Sequence, residues 1–309
     1  MPTVFQDRAA ISLYDAQFAG AAVSPISEEV LEQVLVAIRR FKGVCGDFGV
    51  SDENVRVLAA EATREAQNSE EFRRRITEVS GWKVELLTKA EEARTGAEGV
   101  ASSIGRVNGL VMDLGGGSTQ ISWMRFEKGI CSMADAPVSM PYGAAALTKR
   151  LETATDAGAI EALREEMRGR ITDAFVSLHI PKELQDEAKA EGGYTLYVSG
   201  GGFRGFGYLL LDQHSIEPYP VPIINGFQSP GHVFSDLANL HLSRLELDPE
   251  LSQRLDHKFR ISGRRARQIP AVAFLINTLF GALPKIQTVV FCQGMKLSNQ
   301  AVLMLLNNL

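Results

Sequence analysis

Two apolar runs in this chain end in consecutive glycines, and that pairing constrains its fold more than any other feature. The first is VMDLGGGSTQISWM, residues 111–124. Asp113 closes a strand-like run, Gly115, Gly116 and Gly117 follow, and Ser118 and Thr119 lead into a second apolar run. The other is YVSGGGFRGFGYLL, in which Ser199 closes the run and Gly200, Gly201 and Gly202 open a segment that reads as helix. Glycine runs weaken strands and helices, so they are expected where a side chain would obstruct something. Bare N–H groups can approach an anion closely, hydroxyls can add donors, and a helix N-terminus is an anion site in its own right. Phosphate is the natural ligand for such a pair. The first cluster is not a Walker A loop, since no Gly-Lys-Ser/Thr follows, nor a dinucleotide fingerprint, since a strand comes next. The competing reading is a tight glycine-rich hairpin, with the two clusters as unrelated close-packing sites.

A chain of 309 residues has about twice the usual domain length, so two domains are expected. Hydrophobic and charged fractions of 45% and 22% are ordinary for a globular protein. The formal net charge of −5 gives no electrostatic basis for a nucleic-acid partner, so any bound anion must be met locally. Cys45, Cys131 and Cys292 are odd in number, widely spaced and form no C-x-x-C pair, which disfavours a disulfide framework or zinc site and fits a reducing compartment. The N-terminus lacks a basic stretch followed by an apolar one and is not read as a signal peptide. Residues 269–283 form the longest apolar run, short for a membrane span and read as a buried helix. A cytoplasmic protein without membrane contact is expected.

Strand signals fall at residues 9–18, 55–60, 83–87, 110–114, 119–129, 130–140, 194–202 and 288–294. Helix signals fall at 27–41, 69–80, 89–104, 143–152, 157–179, 233–245 and 262–283, with Ser27 as a cap and Gly81 as a stop. Val30, Leu31, Val34, Leu35, Ile38 and Phe41 recur at helical spacing and predict the buried face of the first helix. Residues 105–109, GRVNG, read as a loop between the halves. The alternation predicts an α/β protein built from parallel units.

DLGGGSTQISW and SGGGFRG, preceded by AEATREAQNSEEF and KAEEARTGAEGV in this order and spacing, resemble the Ppx/GppA family of exopolyphosphatases and guanosine pentaphosphatases. PTVFQDRAAISLYDAQF, GFRGFGYLLL and PAVAFL are similar to the fungal retrograde-regulation branch of that family, and the likeness runs from Met1 to about Gly294. The resemblance implies two RNase H-like domains of the actin, Hsp70 and sugar-kinase superfamily. They would occupy residues 1–107 and 108–309, with the phosphate loops in the second. It implies that Asp113 helps place a divalent cation, Mg²⁺, and the attacking water. Gly115, Gly116, Gly117, Ser118 and Thr119 would form the backbone cradle, and Gly200, Gly201 and Gly202 would lie near the nucleoside or distal phosphates. Glu92 would be the general base and Arg64 a phosphate contact. The implied ligand is ATP, polyphosphate or another phosphorylated small molecule, and the regulatory branch implies a protein partner.

Three departures qualify what the resemblance implies. Family members begin with a strand and a D-x-G-S-N phosphate loop some two dozen residues before PTVFQDRAA, whereas this sequence starts at Met1. The first domain is therefore expected to lack its first strand, and an open sheet edge favours association, as in a homodimer, or local unfolding. Gln120 stands where the enzymes carry glutamate, and an amide cannot act as a base. FCQG runs into MKLSNQAVLMLLNNL where the enzymes carry an R-E-G turn. Two readings follow: a phosphate- or nucleotide-sensing regulator, and a metal-assisted hydrolase acting on polyphosphate or a guanosine polyphosphate.

Overall fold

The structure, a computed structural model, describes residues 9, 11, 13, 24–88, 91–92, 94–95, 99–101, 104–128, 130–154, 156–214, 224–242, 248–259 and 261–292. The chain divides into two compact units, one over Met1–Glu92 and one over Ala93–Gln300.

In the first unit, helix α1 (Glu28–Asp47) starts at the predicted cap. Ser27 Oγ accepts from Val30 N at 3.3 Å, and Glu28 and Glu29 set negative charge against the positive end of the helix dipole. Leu31 and Leu35 are buried, with Val30, Val34 and Ile38 packed beside them. Phe41, predicted on the same buried face, is 41% exposed; it sits roughly 80° around the helix from the buried line of Leu31, Leu35 and Cys45, and its ring meets buried Trp82 edge-on at 6.4 Å. Helices α2 (Glu61–Glu65) and α3 (Ser69–Ser80) follow, and Gly81 ends α3 at φ 76° with its N–H on Thr77 O. Strands β1 (Val57–Ala59) and β2 (Val84–Leu86) pair in parallel. Phe72, Ile76 and Val84 close this core against α1. The strand predicted at 9–18 lies outside the described residues apart from positions 9, 11 and 13.

The second unit is built on a seven-stranded mixed sheet. Its strands are β3 (Val107–Leu114), β4 (Thr119–Glu127), β5 (Ile130–Met133), β6 (Val138–Met140), β7 (Tyr194–Ser199), β8 (Gln228–Pro230) and β9 (Ile286–Phe291), ordered β5-β4-β3-β7-β9-β8 with β6 also paired to β4. Of the strand pairings described in this sheet, β3 with β7 and β7 with β9 are parallel and the rest antiparallel. The expected α/β fold with parallel units is present, and to it the second unit adds antiparallel pairs, with β4 folded back on β3 as a hairpin and β8 antiparallel to β9. The predicted loop at 105–109 gives its last three residues to β3. Gly109 marks a close backbone approach rather than a turn, since a Cβ there would stand 2.2 Å from Thr195 O.

Seven helices of this unit are described: α4 (Ala144–Thr153), α5 (Ala157–Ser177), α6 (Lys182–Ala190), α7 (Gly200–Asp212), α8 (Gly231–Leu242), α9 (Pro249–Phe259) and α10 (Gly263–Ala282). The sequence patterns did not single out α6 or α9, because α6 buries only Leu184 and Ala188 and α9 only Leu255. Helix α10 is the predicted buried helix, with Ile269, Val272, Leu275, Ile276 and Leu279 in the core. No helix of the described residues is long and apolar enough to cross a membrane.

Strand β3 is covered on both faces, as a central strand requires. Leu110, Met112 and Leu114 enter the larger core, while Val107 and Val111 pack with Val100, Tyr197, Val290 and Cys292. The period of two puts Asp113 on the Val107 and Val111 face, at the strand's C-terminal end.

Candidate functional site

The first glycine cluster is the turn between β3 and β4. Asp113 pairs with Gln120 and Leu114 with Thr119, and Gly115 N closes the turn on Ser118 O at 3.0 Å. The loop's carbonyls face the start of α4. Ala144 N donates to Gly115 O at 2.9 Å, Ala145 N to Gly116 O at 3.0 Å, and Gly143 N to Gly117 O at 3.0 Å. The loop thus caps α4 with backbone oxygens, satisfying donors that a helix N-terminus leaves open. Among the described residues, no acceptor is bonded to the N–H of Gly116 or Gly117. Gly143 permits this docking, since a Cβ there would lie 2.3 Å from Gly116 O and 2.4 Å from the Gly117 carbonyl carbon.

The two hydroxyls of the cluster serve different ends. Thr119, predicted as a ligand donor, is fully buried and its Oγ1 donates to Tyr142 O at 2.8 Å, fastening the loop to the segment before α4. Ser118 Oγ accepts from Gln120 Nε2 at 2.8 Å, so the amide at 120 binds back onto the loop.

The second cluster lies beside the first, because β3 and β7 are neighbours with Asp113 paired to Ser199. Ser199 Oγ donates to Asp113 Oδ1 at 2.6 Å instead of capping α7. Gly200 sits at φ 90°, and a Cβ on it would stand 2.4 Å from Leu114 O. A Cβ on Gly202 would stand 2.4 Å from Leu114 Cδ2. Both glycines therefore let the start of α7 approach the root of the first loop. Arg265 of α10 lies across the other side of this helix start, with Nη2 3.2 Å from a Cβ built on Gly201 and Cδ 3.0 Å from one built on Gly205. A cation is thus held beside the uncapped N-terminus of α7. Sequence reasoning missed Arg265, whose signal was the clustered arginines of SGRRARQ, and Gly143, a lone glycine with nothing to flag it.

Burial pushes the Asp113 carboxyl above the usual carboxylate range, and the Ser199 hydroxyl offsets part of that rise. Among the described residues, no group of three or more His, Cys, Asp or Glu is placed to hold a metal ion. Asp113 could supply one carboxylate ligand to a divalent cation that accompanies a phosphate, whereas the loop amides, being donors, suit the anion.

Arg64 and Glu92 meet in the first unit, where Arg64 Nη2 bonds Glu92 Oε2 at 3.2 Å and Nη1 donates to Leu87 O at 2.7 Å. The predicted residues therefore form two groups. One holds Asp113 with both glycine clusters, and the other holds Arg64 with Glu92.

Two parallel-strand ends thus lie side by side, β3 running through its glycines into a turn and β7 into the start of α7, with Asp113 and Ser199 paired between them. The Ppx/GppA phosphatase family matches residues 1–296, and the chain belongs to that family. The chain is similar to Retrograde regulation protein 2 of Saccharomyces cerevisiae, with 42% identity over 298 residues, 95% of this chain and 49% of that protein. It thus spans about half the length of that relative. Its fold is shared with the Aquifex aeolicus Ppx/GppA family member, at a TM-score of 0.65 and 21% identity over 92% of this chain and 84% of the other. An exopolyphosphatase from Cytophaga hutchinsonii aligns at a TM-score of 0.64 and 17% identity over 93% of this chain and 85% of its own.

Proposed function

We propose that the chain is a phosphate- or nucleotide-binding regulatory protein, similar to fungal regulators that relay mitochondrial state to nuclear transcription, and that it works in the cytoplasm with a protein partner. The observation that carries this reading is the pair of amides at Gly116 and Gly117 that have no acceptor among the described residues, in the loop that half-buried Asp113 leads into. An oxyanion is the natural acceptor for two converging N–H groups. In this reading Asp113 holds Mg²⁺, which neutralises charge on the phosphate oxygens, and the turn at Gly115–Ser118 receives one phosphate. The start of α7 and Arg265 meet the distal phosphate or nucleoside. Thr119 fixes the loop. The proposed phosphate loops lie in the second compact unit, Ala93–Gln300.

Titration calorimetry with ATP or pyrophosphate is expected to show binding that requires Mg²⁺ and disappears with a chelator. Absence of heat at millimolar ligand, with a cooperative melt confirming the folded chain, would overturn the reading.

The hydrolase reading draws on the Arg64–Glu92 pair, which holds a carboxylate in place. Water would attack the terminal phosphorus, Glu92 would take its proton, and the bridging oxygen would leave with the electron pair. It requires Mg²⁺-dependent phosphate release that Glu92→Gln abolishes, and equal rates in both proteins would remove it. Gln120, an amide bonded to Ser118, favours binding over turnover.

A further inference from the structure

The sheet of the second unit has a second concave feature at the end opposite the glycine loops. An open groove of about 840 Å³ lies between the exit of α5, helix α6 and the starts of β7 and β9. Tyr194 begins β7 and Ser199 ends it, so this groove and the phosphate loops stand about 16 Å apart along the strand. The volume falls in the range of small-molecule sites.

Its walls are apolar and aromatic. Phe175 and Tyr194 meet edge-on at 6.0 Å, Ile180 lies beside them, and Val176 lines the groove while 67% exposed. An aliphatic side chain left in water beside a concave apolar wall gains when a ligand covers it, at about 25 cal/mol per Å². His179 lines the same groove at φ 45°, a left-handed conformation that a helix end usually gives to glycine. Such outliers gather where a side chain is used.

The charged groups are of one sign. Lys189 and Lys285 line the groove, and no Asp or Glu does. Lys285 makes no ion pair among the described residues, and Lys189 reaches Asp186 only at 3.7 Å with side chains 76% and 56% exposed.

We propose that this groove binds an amphipathic anion, the carboxylate of an alkyl chain, with its apolar body on Phe175, Val176, Ile180 and Tyr194 and its head group between Lys189 and Lys285. The site is independent of the phosphate loops. Both lysines are exposed, so reversing their charge leaves the core intact.

Titration of the chain with decanoate tests this, using decanol as the neutral control. Saturable decanoate binding is expected, weakened about tenfold or more by Lys189→Glu with Lys285→Glu, weakened similarly when decanol replaces decanoate, and unchanged by added pyrophosphate. A double variant that melts like the parent yet binds decanoate equally well would overturn the proposal, as would absence of binding to the parent. Binding of an acidic amphipathic peptide without binding of decanoate would assign the groove to a protein partner and overturn it too.

Discussion

Replacing Gly200 by alanine is expected to lower the stability of the chain by about 3 kcal/mol or more and to abolish phosphate binding. Two costs combine at this position. The backbone sits at φ 90°, outside the range a side chain tolerates without strain, and the new methyl would stand 2.4 Å from Leu114 O and 2.7 Å from Leu114 C and N. Those atoms belong to the backbone of β3, which is packed on both faces, so no rotamer change relieves the clash. Displacing β3 from α7 would also part Ser199 from Asp113. Gly226→Ala provides the comparison, since Gly226 has φ 81° and nothing within 4 Å of a built Cβ. It should show the strain alone, about 1–2 kcal/mol. Denaturant melts of the two variants separate the terms, and equal losses would show that β3 yields freely to the methyl.

Asp113→Asn is expected to change two measurements in opposite directions. Burial raises the carboxyl pKa, so the folded chain binds this proton more tightly than the unfolded chain. The associated stability is fully present below the ordinary carboxylate pKa and is lost as pH rises through the raised value. At neutral pH the parent therefore carries an unfavourable buried charge that the amide lacks. The variant should be more stable without ligand at neutral pH, with the difference vanishing toward acid pH. The same change removes the carboxylate proposed for the cation, so Mg²⁺-dependent affinity for pyrophosphate should fall by about 100-fold. Melts across the acid-to-neutral range, with and without Mg²⁺ and pyrophosphate, read both effects. A variant stabilised by Mg²⁺ and pyrophosphate as strongly as the parent would show that Asp113 does not hold the cation.

The glycine clusters were legible in the sequence because their requirement is steric and falls on residue type. A left-handed Gly200 and a Gly202 against Leu114 leave a mark that no other residue could leave. The cap at Ser27 and the stop at Gly81 were legible for the same local reason. What escaped depends on chain paths that meet far from one another in sequence. Gly109 looked like a turn because its partner, Thr195, is distant in the chain, and Gly143 carried no signal because the loop it accepts precedes it. Thr119 and Ser118 are adjacent buried hydroxyls of similar type, and only the position of the Tyr142 carbonyl decides which of them fastens the loop to the segment before α4. Phe41 falls at the margin of the apolar stripe of α1, and only the packing shows that the buried line runs through Leu31, Leu35 and Cys45 beside it. Arg64 and Glu92 read as surface charges until the family resemblance singled them out, and the bond between them is a tertiary fact.

The central claim is that the N–H groups of Gly116 and Gly117 face a phosphate. Amide chemical shifts of the ¹⁵N-labelled chain, recorded while Mg²⁺ and pyrophosphate are added, test it most directly. The expected result is a saturable shift confined to Gly115–Ser118 and the first turn of α7, largest at Gly116 and Gly117 and absent without Mg²⁺. Saturable shifts elsewhere that leave Gly116 and Gly117 unmoved would contradict it and return the loop to the status of a glycine-rich hairpin.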